Sequence, residues 1–407
     1  MTIKVDKIVK YFEILIVYAC LFPNVSFGLN SMDSQPWVLL LLLVYFSFKL
    51  KFEKNNIFIL WVITILVMSI SVIYLVNESI IFFDHLIRAL SNYTIVFFVW
   101  SFSISIHKKY NLINHYIFAS WIYILYGFMQ LNGFLYLDWI SNNRTTAIRG
   151  VTSFAAEPTY FSIILLFLSW LILNSSNKVQ KENKRFFSIQ NISYFTIFIN
   201  IISIFLLAKS STVILLLIVI SIVSIFMFMS RKLLKILIFF SLTIIPIIFF
   251  NFQSLDKRVR PIQLASEFYD HGFNATKFIM KNDASVNGRV AQVFIPYIGM
   301  YENYGLPGGH FTFEQVSNKV ISSGSLFWSE YGITAKIQSF IGVCVYELGF
   351  IGLVILFSIA LILKKENNWK WREIIILFIT LIPSVPLGYG LIPLLFGSKV
   401  KKNINKL

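Results

Sequence analysis

The chain has 407 residues, of which 57% are hydrophobic and only 13% are charged, whereas a soluble domain carries roughly 25% charged residues. Its 42 Phe, 19 Tyr and 9 Trp residues are too many to hide in one water-soluble core, but they can face lipid. A soluble globular protein is therefore excluded, and we predict that most of the chain lies in a bilayer.

The net charge of +16 comes from 35 Lys and Arg residues against 19 Asp and Glu residues. In a soluble protein such an excess suggests nucleic acid, but in a membrane protein it follows from basic residues collected in cytoplasmic loops. We favour the second account and expect no nucleic-acid partner. Cys20 and Cys344 are isolated cysteines in apolar stretches, which favours packing over a disulfide framework or a metal site.

Ten apolar runs approach or exceed the length of a spanning helix, about 20 residues. They cover 11–29, 36–50, 57–76, 80–106, 113–136, 157–173, 189–208, 211–230, 233–250 and 338–363. An eleventh run, 373–396, contains three prolines and two glycines, so it is either one kinked span or a hairpin. Basic residues cluster in alternate loops, which predicts a cytoplasmic N-terminus. We prefer the hairpin because it returns the basic tail to the cytoplasm.

The predicted fold is an all-α polytopic integral membrane protein with about 10–12 transmembrane helices and one large extracytoplasmic loop. Residues 1–250 form a membrane domain of nine predicted spans, and residues 251–335 form the loop. Residues 336–407 hold one more span, the broken run and the tail. The loop is too rich in aromatic residues for a disordered tract, so we expect short helices on the outer face.

Polar groups beside a bilayer are candidate site residues because burying charge there is costly. In the segment "NNRTTAIRGVTSFAAEPTYF", Arg149, Gly150 and Glu157 lie close together just before a predicted span. These residues favour a site for an anionic ligand. The alternative is a helix start at which Glu157 complements the helix dipole and the arginines bind lipid headgroups.

The long loop contains a second set of candidates. Arg289 follows Gly288, and His310 follows the glycine-rich turn 305–309. A guanidinium can bind two phosphate oxygens at once, and a histidine can transfer a proton near neutral pH. The alternative for His310 is an ordinary histidine in a turn.

Arg88 and Lys209 complete the outer set. Arg88 follows Asp84 by one helical turn, for which a structural ion pair is the alternative. Lys209 lies between two predicted spans. Both map with Arg149 and Arg289 to the face where the topology rule disfavours basic residues, and a pyrophosphate is a natural partner for several of them.

The chain resembles the bacterial O-antigen and exopolysaccharide polymerases, which share a superfamily with the O-antigen ligases. The resemblance rests on "RGVTSFAAEPTYF" and "LAKSSTVILLL", each opening a predicted span, on "NGR" in the loop and on "YELGFIGLVILF" after it. It covers residues 140 to 365. Ligases carry a histidine where this chain has Gln338, and glutamine cannot act as a general base, so the resemblance favours a polymerase.

The resemblance implies a glycosyltransferase of the bacterial inner membrane that needs no metal or cofactor. It would transfer a growing glycan from undecaprenyl pyrophosphate to the next lipid-linked repeat unit at the periplasmic face. The expected pyrophosphate ligands are Arg149, Arg289, Arg88 and Lys209, and the expected base is Glu157 or His310. Expected partners are the bilayer, the lipid-linked oligosaccharide, a chain-length regulator and a flippase. A ligase and a lipid-linked oligosaccharide flippase or other transporter are the alternatives.

Overall fold

The computed structural model describes residues 2–25, 36–49, 55–75, 81–133, 150–182, 187–228, 260–309, 312–324, 326–327, 337–383 and 385–400. Within these ranges the ordered elements are helices, and no β-strand is present. Each predicted apolar run that falls in the described ranges corresponds to a helix. The run 233–250 lies outside them.

The helices fall into three groups along the chain. The first group is α1 Thr2–Leu21, α2 Trp37–Lys49, α3 Asn55–Leu75, α4 Ile81–Lys109, α5 Ile113–Leu131, α6 Pro158–Glu182, α7 Phe187–Ser203 with a π-helical turn at Ile204–Ala208, and α8 Ser211–Phe228. The second group is α9 Arg260–His271, α10 Ala275–Asn282, α11 Ala284–Glu302 and α12 Phe313–Ser322. The third group is α13 Phe340–Glu366, α14 Trp371–Leu381 and α15 Leu391–Phe396, followed by a 3-10 turn at Gly397–Lys399.

Several helices have the length and composition of membrane spans. Among the described residues, four segments are long and apolar enough to cross a membrane: Leu86–Lys109, Pro158–Asn177, Ile189–Ala208 and Phe340–Glu366. The larger predicted number of spans is not reached. One reason is helix length, because α2 has 13 residues, about 20 Å of helix, against a hydrocarbon core about 30 Å thick.

The core of the bundle lies between α4, α6 and the C-terminal elements. α4 contacts α3, α2 and α15, while α6 contacts α5, α7 and α15. Trp100 of α4 and Phe396 of α15 are fully buried and meet edge to face, with ring centroids 5.4 Å apart. The helices on the periphery expose large apolar side chains, including Phe195, Phe198 and Leu206, as expected of faces that contact lipid.

The C-terminal run folds back on itself. The side chains of Asn367 and Trp369, before α14, both donate hydrogen bonds to the carbonyl oxygen of Phe396, each at 3.0 Å. Gly397 lies against α4, and a Cβ at this position would be 2.4 Å from the hydroxyl oxygen of Ser103. The run therefore has the geometry of a hairpin and not of one kinked span. The basic residues 401–407 lie outside the described ranges.

Glu13 of α1 is a buried carboxylate that connects α1 with α2 and α4. It lies at the end of the bundle opposite to the start of α6. It pairs with Lys109 of α4 at 2.7 Å and accepts a hydrogen bond from Tyr45 of α2 at 3.3 Å. A buried carboxylate is tolerated when it is paired and hydrogen-bonded. This network explains Glu13 as a structural residue.

Candidate functional site

The segment that leads into α6 is held by hydrogen bonds on two sides. The backbone N–H of Val151 donates to the carbonyl of Leu207 in the π-helical turn at 2.9 Å. On the other side, the backbone N–H of Ser153 donates to the Gln130 side chain at 2.7 Å, and the Ser153 hydroxyl donates to the carbonyl of Tyr123 at 2.7 Å. The path of the chain is therefore fixed before it reaches Glu157.

Gly150 allows this segment to approach the entrance of α8. A Cβ on Gly150 would lie 2.1 Å from the carbonyl oxygen of Ala208, closer than any real contact, so no other residue fits without movement. Lys209 follows in the left-handed region at φ 49°, and its side chain is exposed. The Ser210 hydroxyl then donates to the Thr159 hydroxyl of α6 at 3.3 Å. The starts of α6 and α8, which both carry predicted site residues, are thus neighbours.

Glu157 and Arg289 meet beside the start of α6. A guanidinium nitrogen of Arg289 lies 3.5 Å from a carboxylate oxygen of Glu157, across 132 residues of sequence. Their side chains are 20% and 19% exposed. The pair is partly shielded from water, and charges in such a position interact more strongly than at an open surface. The pair nevertheless remains accessible to a ligand. We call the side of the bundle that carries this pair the outer end, following the predicted orientation.

Asn287, the first residue of the triplet "NGR", anchors the part of α11 that carries Arg289. The side chain of Asn287 is buried and donates to the carbonyl of Met280 at 2.7 Å and to that of Leu326 at 2.9 Å. These bonds tie α11 to α10 and to the chain after α12. The buried amide thus fixes the first turns of α11, from which Arg289 extends toward Glu157.

α11 rests along α13 beyond Arg289. A Cβ on Gly299 would lie 2.5 Å from the ring of Tyr346 in α13, so the two helices are in close contact. Tyr297 packs against the core of the bundle. Burial raises the pKa of Tyr297, with a smaller contribution from Cys344.

α13 is broken near the outer end, and the loop that follows α11 docks at the break. Gly349 has φ 58° and ψ −139° inside the helix. The freed N–H of Phe350 donates to the carbonyl of Gly305 at 2.8 Å, and the N–H of Gly308 donates to the carbonyl of Tyr346 at 2.8 Å. The turn 305–309 therefore satisfies backbone groups that the break leaves without helical partners.

A second carboxylate lies at this break. Glu347 is 4% exposed, and its side chain accepts a hydrogen bond from the Tyr93 hydroxyl of α4 at 2.9 Å. We did not predict Glu347 as a site residue, although a single carboxylate inside the apolar run 338–363 is the kind of signal that marks functional or paired groups in membranes. Tyr93 carries no comparable signal in the sequence.

The structure brings together part of the predicted site. Glu157 and Arg289 are in contact, and Lys209 lies at the neighbouring entrance of α8 with its side chain exposed. Arg88 is exposed on α4, and its role as a phosphate ligand stays a prediction. Arg149 and His310 lie outside the described residues, as does the side chain of Asp84.

The described residues contain no group of three or more His, Cys, Asp or Glu side chains that could hold a metal ion. Comparisons of the chain with known protein families, with curated proteins and with solved structures find no match. The function must therefore be argued from the geometry of the outer end.

Proposed function

We propose that the chain is a membrane polysaccharide polymerase. It transfers a growing glycan from an undecaprenyl pyrophosphate carrier to the next lipid-linked repeat unit, at the periplasmic face of the bacterial inner membrane. The observation that carries this proposal is the contact between Arg289 and Glu157 at 3.5 Å. This contact supports the proposal because the cation that we assign to the leaving group and the carboxylate that we assign to proton transfer lie side by side, at one end of helices that can span a membrane.

Arg289 supports the proposal through the charge of the leaving group. When the glycosidic bond to the carrier breaks, negative charge develops on the pyrophosphate, and a preorganised cation stabilises that charge. A guanidinium suits this task because its planar N–H groups match phosphate oxygens. Lys209, Arg149 and Arg88 are the further cations that we propose for the same group.

Glu157 would accept the proton of the incoming sugar. The acceptor hydroxyl oxygen attacks the anomeric carbon of the growing glycan, and a new C–O bond forms. The bond between that carbon and the pyrophosphate oxygen breaks, and its electron pair leaves with undecaprenyl pyrophosphate. The hydroxyl proton passes to the Glu157 carboxylate. His310 is the alternative base.

The outer surface and its surroundings suggest the partners. The bilayer carries both lipid-linked substrates, so the enzyme would receive them laterally through gaps between its helices. A flippase that delivers the repeat unit and a chain-length regulator that ends growth are the protein partners that we propose. We propose no nucleic-acid partner, because the predicted topology accounts for most of the excess of basic residues.

Deletion of the gene in its own host, followed by glycan gel electrophoresis, tests the proposed function. A polymerase mutant retains a single repeat unit on its acceptor and loses the ladder of longer chains. Complete absence of surface glycan would indicate a flippase instead. Free lipid-linked polymer beside an unmodified acceptor would indicate a ligase.

Replacing Gly150 by alanine should lower polymer synthesis. The new Cβ would collide with the carbonyl of Ala208, so the segment that carries Glu157 must move away from the entrance of α8. A displacement of about 1 Å in a catalytic group can cost on the order of a hundredfold in rate. We expect roughly ten- to hundredfold less long-chain glycan per unit of membrane-inserted protein. Gel densitometry measures the glycan, and immunoblotting measures the inserted protein.

Gly133→Ala is the control for a glycine substitution without a collision. Gly133 has φ 72°, so alanine there carries left-handed strain of about 1–2 kcal/mol, but its Cβ would meet nothing within 4 Å, and the measurement is normalised to membrane-inserted protein. This variant should leave the ladder of chain lengths close to that of the wild-type protein. A Gly150→Ala variant with normal polymer output would mean that the contact between the two entrances does not position Glu157.

A further inference from the structure

We infer that the end of α11 and the turn after it, residues 299–309, lie within the outer leaflet of the bilayer and contact lipid. We call these residues the α11 turn. The sequence places them in the middle of the extracytoplasmic loop 251–335, well away from any apolar run. The inference rests on where the α11 turn docks on α13 and on the side chains that it exposes.

The docking point is well defined. The carbonyl of Gly305 accepts the N–H of Phe350 at 2.8 Å, and the N–H of Gly309 donates to the carbonyl of Glu347 at 3.4 Å. A Cβ on Gly305 would lie 2.4 Å from the ring of Phe350. The α11 turn is therefore held directly against residues 347–350 of α13.

The position of Phe350 along α13 sets the depth of the docking point. Lys364 and Lys365 lie in the last turn of α13 and mark its predicted cytoplasmic end. Lys364 follows Phe350 by 14 residues, which is about 21 Å of helix. The hydrocarbon core is about 30 Å thick, so Phe350 lies about 9 Å below its outer boundary. The break at Gly349 is on the outer side of Phe350 and does not change this distance.

The side chains of the α11 turn continue the lipid-facing surface of α13. On α13, Phe350, Val354 and Phe357 are 65%, 60% and 61% exposed, at the spacing of one helix face. Beside Phe350, the α11 turn exposes Leu306 at 62% and Tyr304 at 93%. Tyr301, on the last turn of α11, is 83% exposed. These exposed side chains continue the apolar face of α13 onto the α11 turn, whose Glu302 is paired with Lys319 of α12 at 3.0 Å.

The backbone of the α11 turn fits this environment. Backbone polar groups near the hydrocarbon region must be satisfied within the protein. The N–H groups of residues 303–306, 308 and 309 all donate to carbonyl groups of the protein, and Pro307 has no N–H. Tyrosines are enriched at the level of the lipid headgroups, where the ring is apolar and the hydroxyl is hydrated. A sugar-stacking platform is the other use of exposed tyrosines, but continuity with Phe350, Val354 and Phe357 favours lipid.

Spin labelling of the full-length protein in lipid nanodiscs tests the inference. Single cysteines replace Tyr304 or Leu306, and a nitroxide attached there reports its exposure to dissolved oxygen, which enriches in lipid, and to a water-soluble nickel complex. The native Cys20 and Cys344 are buried, so they remain in place and give the background in the unsubstituted protein. Phe357→Cys serves as the lipid reference. Asn318→Cys, exposed on α12, serves as the water reference.

We expect labels at 304 and 306 to resemble the label at 357, with high oxygen and low nickel accessibility. Labels that instead match position 318 would overturn the inference. Protection from nickel that depends on added polysaccharide would also overturn it, in favour of a glycan platform. The measurement needs no transfer activity, so its outcome is independent of the proposed function.

Discussion

The Arg289→Gln variant should make very little long-chain polysaccharide while it inserts into the membrane at normal levels. Arg289 is partly exposed on α11 and contacts Glu157, and glutamine keeps a polar, hydrogen-bonding group on a shorter side chain without the charge. Removing one group that stabilises developing negative charge typically lowers the rate by about 10²–10³-fold. We expect a loss of this size in polymer synthesis, read from the glycan ladder after normalisation to immunoblotted membrane protein.

Two further variants separate the charge of Arg289 from its shape and from general surface charge. Arg289→Lys keeps the charge but loses the planar group that binds two oxygens, so it should retain part of the activity. Lys277→Gln removes the same charge from an exposed site on α10 and should leave the ladder unchanged. Normal long chains from Arg289→Gln would contradict the proposed pyrophosphate role.

The Gly349→Ala variant should be severely destabilised. Gly349 has φ 58° and ψ −139°, a region in which residues with side chains are strained by about 1–3 kcal/mol. In addition, a Cβ there would lie 2.3 Å from the carbonyl oxygen of Gly305, which is backbone and cannot rotate away. The α11 turn would have to leave α13. We expect low protein abundance in the membrane and a reduced melting temperature in detergent, followed by fluorescence-detected gel filtration.

Gly324→Ala provides the comparison for Gly349→Ala. Gly324 also has a positive φ, 73°, but a Cβ added to it would meet nothing within 4 Å. It therefore carries only the left-handed strain, about 1–2 kcal/mol. If the two variants showed equal decreases in membrane abundance and in melting temperature, the close docking of the α11 turn on α13 would contribute nothing to stability.

The sequence selected Glu157 as a candidate because it directly precedes a predicted span, and Arg289 because a guanidinium in the outer loop can bind phosphate oxygens. It could not predict that the two meet. Their contact spans 132 residues and depends on Gly150 fitting under Ala208 and on Asn287 anchoring the start of α11. Both are tertiary contacts with no local periodicity, so no pattern in the sequence specifies them.

The helices themselves were easier to predict than their irregularities. Apolar runs identify helices because a spanning segment needs about 20 apolar residues. A hydropathy average treats 338–363 as one continuous span. In the structure, φ is positive at Gly349, and the backbone there forms hydrogen bonds with a turn that is distant in sequence. The proline and glycine content of 373–396 indicated a broken helix, because those residues interrupt helices locally, but it left a kinked span and a hairpin open, and the preference for the hairpin came from the basic tail.

The C-terminal hairpin has a consequence for the order in which the protein assembles. Its residues follow α1 to α13 in the chain, so they leave the ribosome after those helices. Yet Ser103 of α4 donates a hydrogen bond to the carbonyl of Leu394, and Asn174 of α6 donates to the Ser398 hydroxyl at 2.8 Å. Until translation reaches these residues, α4 and α6 expose polar groups toward an unfilled centre. The interior can therefore close only as a late step, and a nascent chain stopped before Leu391 would lack the residues that fill the centre between α4 and α6.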